Sequence, residues 1–565
     1  MSAPEGLVGP PAPLAAGTEE VLVDVREPSG ANTEGGRPVG PVPPATITQE
    51  IPVVGPALPG RQLRVLKLVI WGCAVGLFLV LCILEVHEYH RFELTQDYSI
   101  FNQADYKIAH GQFYPYDTIF SEHFMVDHGA FIVYLEAPFY FLGASYGGLV
   151  LLFLQAAGLA GSVLVAAKIL LYGLAERQAA PGVVYCCVGL LLVSCMANPW
   201  IYAIAFDDIH YEPLGTLFSL ALIYDLYTGH SRRAWIWVVL VASIGDVGGT
   251  YLVGLGLGTV LFLPRQRRQG GIIAVAGLAW VVVLGVLHAD RGSLLPTFAY
   301  ITGRPIKSNA GARALFRILG GLATHPTRAL NRIVANSYLL VRDLMPTGVI
   351  GLLDPLVGPV AVVVFLTGAV SADPGLSKYA FQNCLLYFFV PLGTALLVGR
   401  FPWASLAAAA RAGWLRRPVV WPVLFSAILV VSMLAFDLPH DRRGAFHHYY
   451  VTPAAATDLT YILSRTPQDA EVVSSFGVVG RFSARDWVYD ISRHSEPEPV
   501  RAQTIEFVLA PWAGNAALVP SSTLAIERYV VTKLHATAVP VPLSAGRVAA
   551  YVWHPRHLGG NIVLP

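Results

Sequence analysis

Apolar residues fall along this chain in long runs separated by short polar joints, without the two-residue alternation of a half-buried strand. Runs at 66–85, 146–173, 181–199, 213–228, 233–246, 248–263, 271–288, 355–371, 381–399 and 418–437 approach the length a membrane-crossing helix needs. That length is roughly 17 to 25 residues, at about 1.5 Å per residue across a hydrocarbon core about 30 Å thick. A further segment, 330–350, is interrupted by Arg342, Asp343 and Pro346. Counting it, the pattern predicts an all-α polytopic membrane protein with about eleven transmembrane helices.

The polar joints set the orientation. Lys and Arg gather in RQLRVLK (61–67), AERQ (175–178), GHSRR (229–233), PRQRRQ (264–269) and ARAGWLRRP (410–418), and short joints of this kind stay on the cytoplasmic side. All five share one side only if 330–350 crosses, which puts the N-terminus in the cytoplasm and the C-terminus outside. Three large exported segments result: 86–145, 289–329 and 438–565. Within the first, 129–143 has an apolar run too short to span and is expected to lie as a helix in the interface. The last mixes helical AATDLTYILSRT with strand-like AEVVSS, IEFVLAP and GRVAAYVWH, and is expected to form a small α/β domain. Residues 1–60, rich in Pro, Gly and Ala, are expected to be a disordered cytoplasmic tail. No signal peptide precedes the run at 66, so the first helix is expected to be an uncleaved anchor.

Composition agrees with a membrane chain: 55% of the 565 residues are hydrophobic, 13% are charged, and the mean hydropathy is +0.55. The formal net charge of +1 and the lack of a basic, aromatic-rich face argue against a nucleic-acid partner. The bilayer is the partner the composition predicts. All six cysteines sit in apolar runs without metal-site spacing and are expected to be small core residues.

Against that background the exported side carries four polar knots. FELTQDYSIFNQADYKIAHGQFYPYDT (92–118) holds Asp97 and Asp105, and SEHFMVDHGAF holds Glu122, His123, Asp127 and His128. AFDDIHYEPLG holds Asp207, Asp208, His210 and Glu212 just before an apolar helix, and ASIGDVGGTYLVGLGLG places Asp246 where two apolar halves meet. Taken singly, an exported carboxylate such as Asp105 is a solvated loop residue, and Asp207 or Asp208 is a helix N-cap. Taken together, the four knots suggest one cleft, and an acidic residue between apolar runs, such as Asp246, is normally paired or functional. Asp and Glu with nearby carbonyls suit Mg²⁺ or Mn²⁺. Neither the HExxH pattern of zinc hydrolases nor the Lys-Ser/Thr of a phosphate loop is present, and the glycines after Asp246 read as close helix packing.

The order DYSIFNQADYKIAHGQ, VDHGAFIVYLEAPFY, FDDIHYEPL and GDVGGTYLVGLGLG resembles a bacterial family of predicted membrane proteins of unknown function, grouped with the GT-C superfamily of membrane glycosyltransferases. The resemblance covers roughly 90–400 and continues faintly over 465–489. It departs before the glycine-rich helix, where the family usually has Lys-Glu-Asp and this chain has IGD, keeping only Asp246. The resemblance implies a GT-C-like fold in the plasma membrane with an exported active site fed by a polyprenyl-phosphate sugar. It implies Asp97 as base or metal ligand; Asp207 is, with Asp97, the candidate position for a divalent cation. Gln103, Asp127, His128, Asp207, Asp208, His210, Glu212, Asp246 and Arg304 are the substrate-binding candidates. His128, Arg304, Lys307, Arg328 and Arg332 are the candidate cations for the phosphate leaving group. The alternative class is a non-catalytic transporter or cell-envelope assembly protein, although no internal repeat is visible.

Overall fold

The computed structural model describes residues 58–206, 208–287, 298–303, 312–345, 348–370, 380–410, 413–441, 451–491, 497–513, 520–541 and 548–565. The expected tail, residues 1–57 above all, lies outside them, as do Asp207, Arg304 and Lys307.

The chain enters through α1 (Gly60–Arg91), whose end is closed by Phe92 in the left-handed conformation, its N–H donating back to the Glu88 and Tyr89 carbonyls. Next comes α2 (Gln96–Ala109), in the stretch whose polarity suggests an exported loop. Ten of its fourteen residues are buried, so it is an internal polar helix. A two-stranded ribbon, β1 (Tyr116–Asp117) with β2 (Glu122–His123), leads into the short α3 (Phe124–Asp127) and α4 (Val133–Tyr140). The stretch around α4 leaves Leu135, Phe139, Phe141 and Leu142 exposed.

The apolar bundle follows. It comprises α5 (Gly147–Glu176), α6 (Pro181–Met196), α7 (Pro199–Ala205), α8 (Glu212–Tyr227), α9 (Ser231–Ala242), α10 (Asp246–Phe262) and α11 (Arg267–Leu287). After α12 (Ala299–Thr302) come the markedly amphipathic α13 (Ala312–Thr324) and α14 (Pro326–Leu344). The bundle closes with α15 (Gly358–Ala369), α16 (Cys384–Arg400), α17 (Trp403–Ala409) and α18 (Val420–Asp441). Among the described residues three helices are long and apolar enough to cross a membrane alone, or up to five spans if the bent pairs α6–α7 and α16–α17 each count as one. The remaining apolar helices are shorter, so length and composition alone do not yield the expected eleven.

Small residues draw the helices together. A Cβ on Gly256 of α10 would lie 2.4 Å from the Ala274 nitrogen of α11, and one on Gly254 would lie 3.0 Å from the Val360 Cα of α15. The glycine run of α10 is therefore a two-sided packing surface, as its sequence suggests. Cys187, Cys195 and Cys384 are buried and unpaired in the core.

The C-terminal part begins with α19 (Pro453–Arg465), which starts on a Thr452 cap. Strands β3 (Glu471–Ser474), β4 (Val488–Asp490), β6 (Ile505–Leu509), β7 (Thr537–Val539) and β8 (Ala549–Trp553) form one sheet in the order β4-β3-β6-β8-β7. The first two pairings are parallel and the last two antiparallel. Helix α20 (Pro520–Thr532) packs with this sheet, while β5 (Pro497–Pro499) pairs separately with β9 (Asn561–Val563). This α/β part is not self-contained, because its Leu459, Val478 and Phe482 share a core with Phe92, Tyr98 and Phe101.

Candidate functional site

Helix α2 is positioned from both ends. Its N-cap residue, Thr95, donates its backbone N–H to Asp208 Oδ1 at 2.7 Å and its hydroxyl to the same carboxylate. Asp208, 113 residues along the chain, therefore caps α2 rather than the α8 helix that follows it in sequence. It sits at φ +59°, a conformation Asp tolerates because its short side chain bonds locally. The loop that carries it is clamped by Gln155 of α5. The Gln155 amide donates to the Asp208 carbonyl at 2.9 Å and accepts from the His210 N–H at 2.7 Å.

Phe101, one turn after Asp97, is the hub of the cluster. Its ring meets those of His128 at 4.9 Å, Tyr211 at 4.7 Å and His210 at 6.3 Å between centroids. The His128 loop is fixed in turn to the break between α9 and α10. Ile132 N–H donates to the Ser243 carbonyl at 2.9 Å, and Gly245 comes so near that a Cβ there would lie 2.8 Å from the His128 carbonyl oxygen. With φ at +105°, Gly245 makes a turn that a side chain would obstruct twice over. The four polar knots thus meet at one end of the helix bundle.

Asp97 lies in the first turn of α2, two residues from the Thr95–Asp208 link, and is partly exposed. A carboxylate there is favoured by the positive end of the helix dipole. His210 and Glu212 are buried, Glu212 as the first residue of α8. For Asp127, at the end of α3, and Asp246, at the start of α10, the backbone alone is described.

Two residues fall elsewhere. Gln103 points away from the cluster and joins α2 to the C-terminal part. Its amide nitrogen donates to Thr118 Oγ1 at 2.9 Å and to the Arg485 and Asp486 carbonyls at 3.3 and 3.2 Å, while its oxygen accepts from Thr118 N–H at 3.0 Å. Arg328, expected as a phosphate cation, donates to the Ile301 carbonyl at 3.2 Å. Asp105 corrects a plain expectation, since it is fully buried against α4 together with Glu136 rather than solvated. Burial, and then the charge of Glu136, hold the Asp105 carboxyl well above its usual range, and burial pushes Glu136 up to about 8.

Thr95, Gln155 and Phe101 are the residues that sequence reasoning missed. Gln155 had a signal, as an amide inside a long apolar run. Phe101 had none, being one aromatic among many. No group of three or more His, Cys, Asp or Glu among the described residues is arranged to hold a metal ion, and Asp208 is engaged with Thr95. What the arrangement offers is a partly exposed carboxylate at a helix N-terminus that favours negative charge, one turn from a phenylalanine whose ring meets a half-buried imidazole, His128, and a buried one, His210.

No curated protein matches the chain. Among solved structures it is similar to ArnT from Cupriavidus metallidurans in its apo state, at 12% identity and a TM-score of 0.39, over 85% of this chain and 98% of that one. Residues 91–523 match the model of a family described as predicted membrane protein (DUF2079), so the site lies within the matched region and the chain belongs to that family.

Proposed function

We propose that the chain is an integral-membrane glycosyltransferase of GT-C type that takes a sugar from a polyprenyl phosphate at the exported face of the plasma membrane. The observation that carries this reading is the convergence around Phe101 of α2, the His128 loop, the 208–212 loop and the start of α10. In the proposed reaction the acceptor hydroxyl loses its proton to Asp97 as its oxygen bonds to the sugar anomeric carbon. The bond from that carbon to the phosphate oxygen breaks, and the polyprenyl phosphate leaves with the electron pair. His128 and His210 both meet the ring of Phe101, one turn beyond Asp97, where an imidazole offers a donor to the phosphate or the sugar.

The orientation that goes with this reading has eleven crossings, N-terminus inside and C-terminal part outside. It is supported by Arg91 and Glu93, which bond to the Val451 carbonyl and N–H at 3.1 and 3.0 Å, so the first exported segment and the C-terminal part occupy one side. It is also supported by the course of 336–354. Asn336 donates to the Ala369 carbonyl at the end of α15, the Gly348 carbonyl accepts from Thr394 within α16, and Asp354 pairs with Arg400 at the far end of α16. These contacts take the chain from the end of α15 to the far end of α16.

Asp97→Asn tests the function. Transfer of labelled sugar from lipid-linked donors is measured in membranes holding equal amounts of each variant, with the exposed Asp469→Asn as control. Asp97→Asn is expected to lose a factor of about 10² to 10⁴, the contribution of a positioned general base. Equal, mild losses in both variants would remove Asp97 from the chemistry and leave a non-catalytic membrane protein.

A further inference from the structure

The opposite face of α2 borders a cavity of about 460 Å³ that the site above does not use. It lies where the end of α1, α2 and the Tyr146 turn meet the C-terminal part, and its volume falls within the range of small-molecule sites. Three features suit it to a ligand of one chemistry. Its walls are aromatic, with Tyr89, Tyr98, Tyr106 and Tyr146 among them, and flat rings with hydroxyls suit the carbon face and edge groups of a polyhydroxylated molecule.

Second, buried polar atoms line it without partners. Tyr98 and Asn102 are 1% and 2% exposed, yet the Tyr98 hydroxyl and Asn102 Oδ1 make no hydrogen bond. An unpaired buried polar group costs about 1–3 kcal/mol, a loss that a bound partner would recover. Third, Arg481 lies along the cavity with its guanidinium 4.4 Å from the Tyr89 ring centroid and 4.2 Å from that of Phe92. These rings and the Tyr89 hydroxyl, which hydrogen-bonds to the guanidinium, hold the cation in place, but no carboxylate among the described residues pairs with it, and its buried Nε has no hydrogen-bond partner. Arg485, which also lines the cavity, is by contrast engaged with the Phe482, Pro467 and Ala470 carbonyls. One guanidinium is spent on backbone carbonyls, whereas the other meets only two rings and a tyrosine hydroxyl and keeps an unpaired Nε.

We propose that this cavity binds a small hydroxylated ligand bearing an oxyanion, a sugar phosphate or a phosphate headgroup, with Arg481 on the oxyanion and the tyrosines against its carbon framework. The inference does not depend on sugar transfer, because it rests on the face of α2 turned away from Asp97.

Equilibrium binding of labelled hexose 1-phosphate to the full chain in detergent tests it, with the neutral hexose and a short-chain phosphatidic acid as competitors. Saturable binding is expected, with the neutral hexose a poor competitor. Arg481→Gln should weaken it by about tenfold or more, and Arg481→Lys by less, since Lys keeps the charge but loses the fork. Stronger competition by phosphatidic acid than by unlabelled hexose phosphate assigns the site to a lipid headgroup, and the reverse assigns it to a soluble sugar phosphate. Tyr146→Ala, at a residue 49% exposed and so removable without opening the core, should also weaken binding and serves if Arg481→Gln does not fold. Asp97→Asn should bind as the parent does. Four results would overturn the proposal: no saturable binding of either phosphate compound, equal competition by the neutral hexose, indifference to Arg481→Gln and Tyr146→Ala, or loss of binding in Asp97→Asn.

Discussion

Asp105→Asn distinguishes a buried carboxyl pair from the solvated loop carboxylate that the sequence suggests. Asp105 and Glu136 are 0% and 3% exposed, and both Asp105 oxygens and Glu136 Oε2 lack hydrogen-bond partners. Burial raises both carboxyls, Glu136 from 4.5 to about 8, and the charge of Glu136 raises Asp105 further. The folded chain therefore retains protons that the unfolded chain has released. The contribution to stability is complete below about pH 4, where both states are protonated, and is lost as pH climbs through the raised folded values, about 8 for Glu136. Within that window each group adds a slope of at most about 1.4 kcal/mol per pH unit. Asn has the shape of Asp but no proton to lose, so the variant sheds one group's slope. Its stability relative to the parent should improve from about pH 5 upward, by at most about 1.4 kcal/mol for each pH unit. The assay is the unfolding midpoint of the purified full chain in detergent across that range, with Asp469→Asn as an exposed control. Glu136→Gln should drift in the same direction. A parent-to-variant difference that is flat with pH would refute the buried, protonated pair.

Three further outcomes are expected. Asp208→Ala should lower stability by about 1–2 kcal/mol through loss of the α2 cap, and Asp208→Asn by less, because Asn keeps an acceptor and tolerates a positive φ; the reverse ranking in a denaturation series would remove the cap from the explanation. Gly245→Ala should cost about 1–3 kcal/mol, since it combines φ +105° with a Cβ 2.8 Å from the His128 oxygen. Gly271→Ala, with nothing within 4 Å of its new Cβ, should be neutral or better, and equal midpoints for the two alanines would contradict the close approach. A reporter fused after Trp414 should read the cytoplasm and one after Pro565 the exported side; agreement between the two would mean that the crossing count is off by one.

Much of the scaffold is legible in the sequence because its cause is local. An apolar run such as 147–176 becomes a long helix in lipid for want of any other way to satisfy its backbone. The glycine spacing of α10 already implies neighbours on two sides, which prove to be α11 and α15. The strands at 471–474, 505–509 and 549–553 fall inside the segments whose β-branched and aromatic content suggests them. The four polar knots are also visible as departures from apolar patterning, although which of their members face one another is not.

Tertiary structure alone decided what the polar residues do. Composition cannot distinguish an exported loop from a polar helix buried between two protein parts, because both need hydrogen-bonding side chains and differ only in the partner. For Gln103 that partner is the backbone of Arg485, 382 residues along the chain. For Thr95 it is Asp208, which looks in sequence like the cap of the next helix. For Asp105 it is a second carboxyl group on α4; burial first, and then that group's charge, hold the Asp105 carboxyl well above its usual range. The sequence by itself determined which segments avoid water, since transfer from water is a property of each segment. Which polar groups satisfy one another is a property of pairs, and only the packing of distant segments creates the pairs.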